Sequence, residues 1–472
     1  MRKFRMSIIL LIVGVLGSLL QAQDKYTTNQ PSIKLTTSKE SGKWQFNIYM
    51  DKADQATAWI DLNNNGKYDK GEEKIKFNVL YKPSITAKTI TIYGKVTGFF
   101  CSYNTLTYID VSKNNHLTSL FCDENKLTQL DVINNTKLKK LYCNGNNITT
   151  LKLPDNNELE ELYCFANNLS SIDLSACNSL KELYCNQNNI ERLDVTNCRK
   201  LIELSCDRNR ITALDVSKNV ELTKLYCFTN ELSVLSLSTN KNLIELYCRQ
   251  NKLISLDLSE NTELTTVVCS ENSLNSLDVS KNTKLAELDC SVNKLDKLSV
   301  TDNGQLMSVY CFSNRIQTGE FARLLTSLAD RNGSGQGEIF VIDTKDTGEQ
   351  NHCLADDITK AKQKNWNIYD WQAANNNGKN PYEGEKGSSI QHTVLENSVS
   401  VYPIPARSVL NIRLPYSLSG KSLTVTDASG RVVMKANTTS AEKEMTLDVS
   451  SLYNGVYFLR IEDKIIRFVV CR

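Results

Sequence analysis

The chain has 472 residues, room for three or four domains, and its 55 basic and 53 acidic residues leave a net charge of only +2. That balance provides no electrostatic footprint for nucleic acid. Only three histidines occur, His116, His352 and His392, and they fall in different segments, which excludes a histidine-pair metal site within one domain.

At the start, Arg2, Lys3 and Arg5 precede an apolar run over residues 6–20, and Ala22 offers a small residue for cleavage before Gln23. This is the layout of a secretory signal peptide over residues 1–22. The run is short for a bilayer span, and no cysteine follows it for lipid attachment. No later segment is long and apolar enough to cross a membrane, so no transmembrane segment is expected after cleavage.

Residues 23–95 read as an N-terminal β cap, with strands expected at 33–37, 44–49, 57–61, 74–79 and 89–93 from alternating apolar positions. Within it, residues 61–72 match the twelve-residue calcium loop. Asp61, Asn63, Asn65, Asp69 and Glu72 place oxygens at positions 1, 3, 5, 9 and 12, Gly66 stands at position 6, and the Lys67 carbonyl falls at position 7. The flanks read as strands, so the expected cofactor is a structural Ca2+ stapling a hairpin, with no helix-opening switch. Asn63 and Asn65 replace carboxylates and Lys67 and Lys70 add positive charge, which predicts weak affinity of about 0.1–1 mM. The alternative is an Asn/Gly turn that binds nothing.

From residue 96 to 317 a 21-residue period takes over. Cysteine recurs at every 21st position from Cys101 to Cys311, and asparagine stands three residues after each one, from Asn104 to Asn314. One unit reads Leu117-x-x-Leu120-x-Cys122-x-x-Asn125-x-Leu127-x-x-Leu130-Asp131-Val132-x-x-Asn135, the leucine-rich-repeat frame with cysteine at its third apolar position. No unit can bury its own apolar side, so the units must stack into a parallel solenoid. A strand is expected at 120–122 and its equivalents, and a second extended piece at 130–132. Stacked asparagines turn the chain and bond from one turn to the next.

The ladder cysteines read as small buried hydrophobes with free thiols. Cys177 and Cys198 differ, because they replace a second turn asparagine in adjacent repeats, where a bridge is sterically open. Cys353 and Cys471 have no evident partners.

One position before the ladder cysteines, eight of eleven residues are aromatic, including Tyr142, Tyr163, Tyr184, Tyr226 and Tyr247, with Ser205, Val268 and Asp289 as interruptions. Two positions earlier, Glu161, Glu182, Glu203, Glu245 and Glu287 form an acidic column broken by Lys140 and Lys224. Tyrosine favours strands, and stacked rings support one another, so the column has a purely structural explanation. The functional one is an amphipathic strip on the concave face for a protein or glycan partner, centred on Tyr142, Glu161, Tyr163, Glu182 and Tyr184.

Residues 318–372 are expected to cap the solenoid with helix 319–329, strand 339–342, helix 356–364 and strand 366–371. Residues 373–396 read as a polar linker. Seven short strands between 397 and 472 then indicate a small sandwich. The architecture expected is therefore mostly β: a leucine-rich-repeat solenoid with an N-terminal β cap, an α/β C-terminal cap and a C-terminal β-sandwich.

Val401-Tyr402-Pro403-Ile404-Pro405-Ala406, Leu410-Asn411-Ile412 and Gly455-Val456-Tyr457-Phe458-Leu459 resemble the type IX secretion sorting domain of the Bacteroidota. That family usually has asparagine where Ile404 stands and often ends in lysines, whereas this chain ends Cys471-Arg472. The resemblance implies recognition by the type IX machinery, export across the outer membrane, removal of the domain and often attachment to lipopolysaccharide. With the cysteine ladder of residues 96–317, the chain resembles the internalin J-like surface proteins of Porphyromonas-type Bacteroidota, which implies a role in host attachment or biofilm formation. An enzyme working through strip carboxylates such as Glu161 and Glu182 is the competing class. No G-x-S-x-G, H-E-x-x-H or P-loop occurs, and buried ladder thiols are inert, so the chain reads as a non-enzyme.

Overall fold

The computed structural model describes residues 25–38, 44–83, 87–155, 157–372, 379–385, 400–402, 409–413, 422–437, 444–453, 455–461 and 464–470. The expected signal peptide lies outside them, as does most of the expected linker. The chain forms two compact units, one through Lys386 and one from Gly387.

In the first unit, each repeat contributes a strand of three residues, such as Glu161–Tyr163, whose middle leucine is fully buried while its neighbours are half-buried. Pairing is parallel and in register from repeat to repeat, Leu162 on Leu183 and Tyr163 on Tyr184. Among the described residues fifteen strands form one sheet, from Asn47–Tyr49 to Asn380–Pro381. The interior is one continuous apolar core from Ile33 to Ile368, lined by the ladder cysteines, all buried and unbridged. Burial pushes their thiols well above the ordinary range.

Leaving each strand, the residue two after the cysteine takes a left-handed conformation. Eleven residues from Tyr103 to Ser313 have φ of 49–63°, and Gly145 alone among them is glycine. A non-glycine residue there costs about 1–2 kcal/mol, and the following asparagine offsets it. Asn188 Nδ2 donates to the carbonyls of Cys164 (3.1 Å) and Cys185 (3.0 Å), and its Oδ1 accepts from Leu169 N at 2.9 Å. One buried side chain thereby closes its own turn and ties it to the preceding repeat.

Among the described residues the second extended piece of the repeats forms a mutual ladder only between Gln129–Asp131 and Thr150–Lys152. Elsewhere the aspartates of that column serve local turns: Asp173, Asp194 and Asp215 each accept from the main-chain N–H two residues on.

The N-terminal residues cap the solenoid twice. Leu106–Asp110, the return segment of the first repeat, joins an antiparallel sheet with Ser32–Thr37, Thr89–Tyr93 and Trp59–Asp61. Asn47–Tyr49 adds an antiparallel strand to Gly98–Phe100 at the head of the long sheet. The strand expected at 74–79 does not form; Phe77 makes only an isolated bridge, and Asn78, at φ 60°, turns the chain away.

At the other end, helices Thr318–Ser327 and Ala355–Gln363 accompany strands Gly337–Ile342 and Trp366–Asp370, which continue the parallel sheet. The linker expected from 373 begins later than its polarity suggests. Tyr382 packs against the core, and Asn380–Pro381 pairs antiparallel with Tyr369 and Asp370.

Among its described residues the second unit has two sheets. One is Ser400–Tyr402, Val409–Arg413 and Glu444–Asp448, and the other is Val432–Asn437, Ser422–Asp427, Gly455–Ile461 and Lys464–Val470. They enclose a core that includes Leu410, Val425, Leu459 and Phe468.

Candidate functional site: the aromatic strip and the loop at residues 61–72

A three-residue strand with its middle residue inward must present the other two outward. Parallel register then stacks equivalent side chains at one strand spacing. Phe100, Phe121, Tyr142 and Tyr163 stack with centroids 4.1–4.2 Å apart and planes within 7°. Tyr184 tilts by 57° from Tyr163, and Tyr226 tilts by 33° from Tyr247. All of the strip tyrosines remain half-buried.

The acidic column is not a row of free charges. Four tyrosine hydroxyls donate to the glutamate of the next repeat: Tyr142 to Glu161, Tyr163 to Glu182, Tyr184 to Glu203 at 2.5 Å and Tyr226 to Glu245 at 2.6 Å. Lys140 pairs with Glu161 at 2.7 Å and Lys224 with Glu203 at 2.8 Å. Burial, reinforced by these bonds, pushes the tyrosines up, Tyr163 among the furthest. For Glu203 burial acts upward, but the bonds from Lys224 and Tyr184 outweigh it and hold its carboxyl below the usual range. Glu161 and Glu182 thus each accept from the tyrosine of the preceding repeat.

Tyr247 has no such partner, because the next repeat offers Thr266 where the others carry glutamate. Sequence reading missed that the column continues beyond the repeats. Tyr49 packs on Phe100 at 4.8 Å, and Phe340 stacks on Tyr310 at 4.3 Å. Their strands were legible, but their register on the long sheet was not.

At the far end of the N-terminal cap, the loop 61–72 winds around two buried carboxylates. Asp61 accepts from Asn65 N (3.0 Å) and Gly66 N (2.8 Å); Glu72 accepts from Leu62 N (2.8 Å) and Asp69 N (2.9 Å). Asp69 Oδ2 accepts from the amides of Asn63 and Asn65 at 2.7 and 2.8 Å. Glu72 is raised chiefly by burial, and the Asp61 and Asp69 charges add to it against the two main-chain bonds. Among the described residues neither Lys67 nor Lys70 pairs with these groups, and no three or more His, Cys, Asp or Glu side chains gather as a metal cage. An ion here would rest on asparagine and main-chain oxygens as well as carboxylates, a donor set that fits Ca2+. The expected hairpin is absent: the loop returns through Ile60 N to Glu72 O at 3.0 Å, while Trp59–Asp61 pairs with Thr89–Tyr93.

Residues 400–469 match the family described as the secretion system C-terminal sorting domain. This segment is a sorting domain. It is read by the type IX machinery, so the protein is exported to the cell surface or secreted. No helix among the described residues is long and apolar enough to cross a membrane. Among solved structures, the functional domain of InlJ from Listeria monocytogenes, which includes a cysteine ladder, is 23% identical with TM-score 0.48, over 80% of this chain and 92% of that one. The internalin inlF from Listeria monocytogenes is 19% identical with TM-score 0.46, over 57% and 86%. YopM from Yersinia enterocolitica is 21% identical with TM-score 0.39, over 48% and 47%. No curated protein sequence matches the chain.

Proposed function

We propose that this leucine-rich-repeat surface protein is an adhesin, and that its aromatic strip binds a protein or glycan partner in host attachment or biofilm formation. The observation that carries this reading is the bond from Tyr142, Tyr163, Tyr184 and Tyr226 to the next repeat's glutamate. Rings pinned in advance lose little freedom on binding, and preorganisation of this kind is how a small apolar surface yields useful affinity. Tyr142, Tyr163, Tyr184, Tyr226 and Tyr247 supply the area, and Glu161 and Glu182 supply polarity at its edge. The test is binding of the full-length protein to host extracellular proteins, glycans and whole bacterial cells. Saturable binding lost on Tyr142→Ala with Tyr163→Ala supports the reading, while hydrolysis of any sugar or peptide would favour an enzyme.

The loop at 61–72 is proposed to hold a structural Ca2+ through Asp61, Asn63, Asn65, the Lys67 carbonyl, Asp69 and Glu72. The ion would supply the positive charge that these mutually repelling carboxylates lack, and so hold the cap closed on the first repeat.

A further inference from the structure

The aromatic column breaks at Ser205, and an open depression of about 570 Å³ runs across the break, from Tyr163 and Phe165 to Tyr226 and Phe228. Tyr184 stands on one side and Tyr226 on the other, two strand spacings apart, or roughly 9.5 Å. Flat faces pack at roughly 4.5 Å or a little more, so the break has the width for one ring beside Tyr184 or Tyr226, above a Ser205 that is itself only 6% exposed. Tyr184 rolls out of the stacked plane where no ring follows it. Its hydroxyl, like that of Tyr226, is already held by a glutamate. The floor is polar. Ser205 donates to Asp207 Oδ1 at 2.8 Å, and Asp207, only 3% exposed, lines the notch beside Arg208 and Asn186.

Charge decides among occupants. The guanidinium groups of Arg208, which lines the depression, and Arg249 lie 5.5 and 5.2 Å from the Phe228 ring, so a cationic side chain meets like charge as well as Asp207. An anion meets Asp207 and the glutamate column. A neutral ring with an apolar face and a hydroxylated rim meets neither penalty. One of its faces packs on Tyr184 or Tyr226, its hydroxyls donate to Asp207, and they accept from Arg208 and Asn186.

We propose that the notch at Ser205 is a subsite for one neutral pyranose ring of a glycan, an assignment that rests on the strip being the binding surface. The test uses the full-length protein with glucose, galactose, mannose, N-acetylglucosamine and their short oligosaccharides, read by saturation-transfer NMR and calorimetry. At least one should bind. Ser205→Tyr, which restores the residue that six other repeats carry at this position, should weaken it tenfold or more. Asp207→Asn, which keeps the volume, should weaken it severalfold. No binding across the panel, or binding indifferent to Ser205→Tyr, overturns the subsite, as does a lysine-rich peptide that occupies the notch and is lost on Ser205→Tyr. Whole-cell binding measured beside it separates the two readings. Loss with Tyr142→Ala and Tyr163→Ala but not with Ser205→Tyr leaves the strip standing without the subsite, and indifference to all three removes both.

Discussion

Two columns run the length of the solenoid one residue apart in the same strands, and they obey different rules. The interior column of leucine and valine, with the cysteine and asparagine that follow, is almost invariant along the array and wholly buried at its apolar positions. The outer column shares the same strands and register, yet it admits serine at 205, valine at 268 and aspartate at 289. An interior change is felt by two consecutive turns, because each asparagine side chain bonds its own repeat and the one before. An outer change is felt mainly by the flanking rings. Identity is enforced where packing and backbone hydrogen bonds coincide, and variety collects where only a side chain meets solvent.

The largest expected effect is in the interior. Leu183→Ala should destabilise the solenoid by about 2–5 kcal/mol. Asn188→Ala, which orphans the Leu169 N–H and takes one of two asparagine donors from each of the Cys164 and Cys185 carbonyls, should cost about 1–3 kcal/mol. Both are read from denaturant unfolding, and a loss under about 1 kcal/mol in either would erase the contrast between the columns. Next comes the strip. Tyr163→Ala with Tyr184→Ala should weaken partner binding by about 2 kcal/mol or more, with a smaller loss of stability than Leu183→Ala. Unchanged affinity with a strongly lowered melting temperature would make the outer column structural as well. The interior thiols sharpen the same division. Cys101 to Cys311 should react with alkylating reagents only after unfolding, and ladder disulfides found by mass spectrometry of native protein would contradict the buried, unbridged column.

Smaller effects concern the cap. Calcium at ten times its dissociation constant should add about 1.4 kcal/mol, seen as a raised melting temperature. Equal shifts for wild type and for Asp61→Ala with Glu72→Ala would reject the site. Without calcium, the raised pKa of Glu72 means that the folded state holds its proton more tightly than the unfolded chain. Its contribution to stability is full below the unfolded value near 4.3 and is lost as pH rises through the higher folded value. Wild type should therefore gain on Glu72→Gln as pH falls from 7 toward 4.5, a difference measurable by urea unfolding at each pH.

The repeat frame, the buried cysteines, the stacked asparagines and the outward tyrosine column were legible in the chain, because a 21-residue period leaves every unit the same problem and one solution; the tyrosines were expected exposed, and stacking leaves them half-buried. The sorting domain was legible from Tyr402, Asn411 and the strand 455–459. Other features depended on contacts between distant segments. The left-handed column from Tyr103 to Ser313 carries no glycine signal beyond Gly145, since the asparagine ladder stabilises it from the neighbouring turn. The pairing of Leu106–Asp110 with Ser32–Thr37, and the return of Tyr382 onto the core, required partners more than ten residues away in the chain.

By itself, the sequence determined a parallel solenoid with leucine and cysteine inward and tyrosine and glutamate outward, because the spacing of apolar residues leaves no other way to bury them. Only the tertiary structure decided that Glu161, Glu182, Glu203 and Glu245 each belong to the tyrosine of the preceding repeat, and that Ser205, an interruption when read along the chain, lies with Asp207 in an open depression between Tyr184 and Tyr226. The physical reason is that hydrogen-bond partners and cavities exist between repeats, at distances set by strand spacing and side-chain rotation, and neither is written in the order of residues.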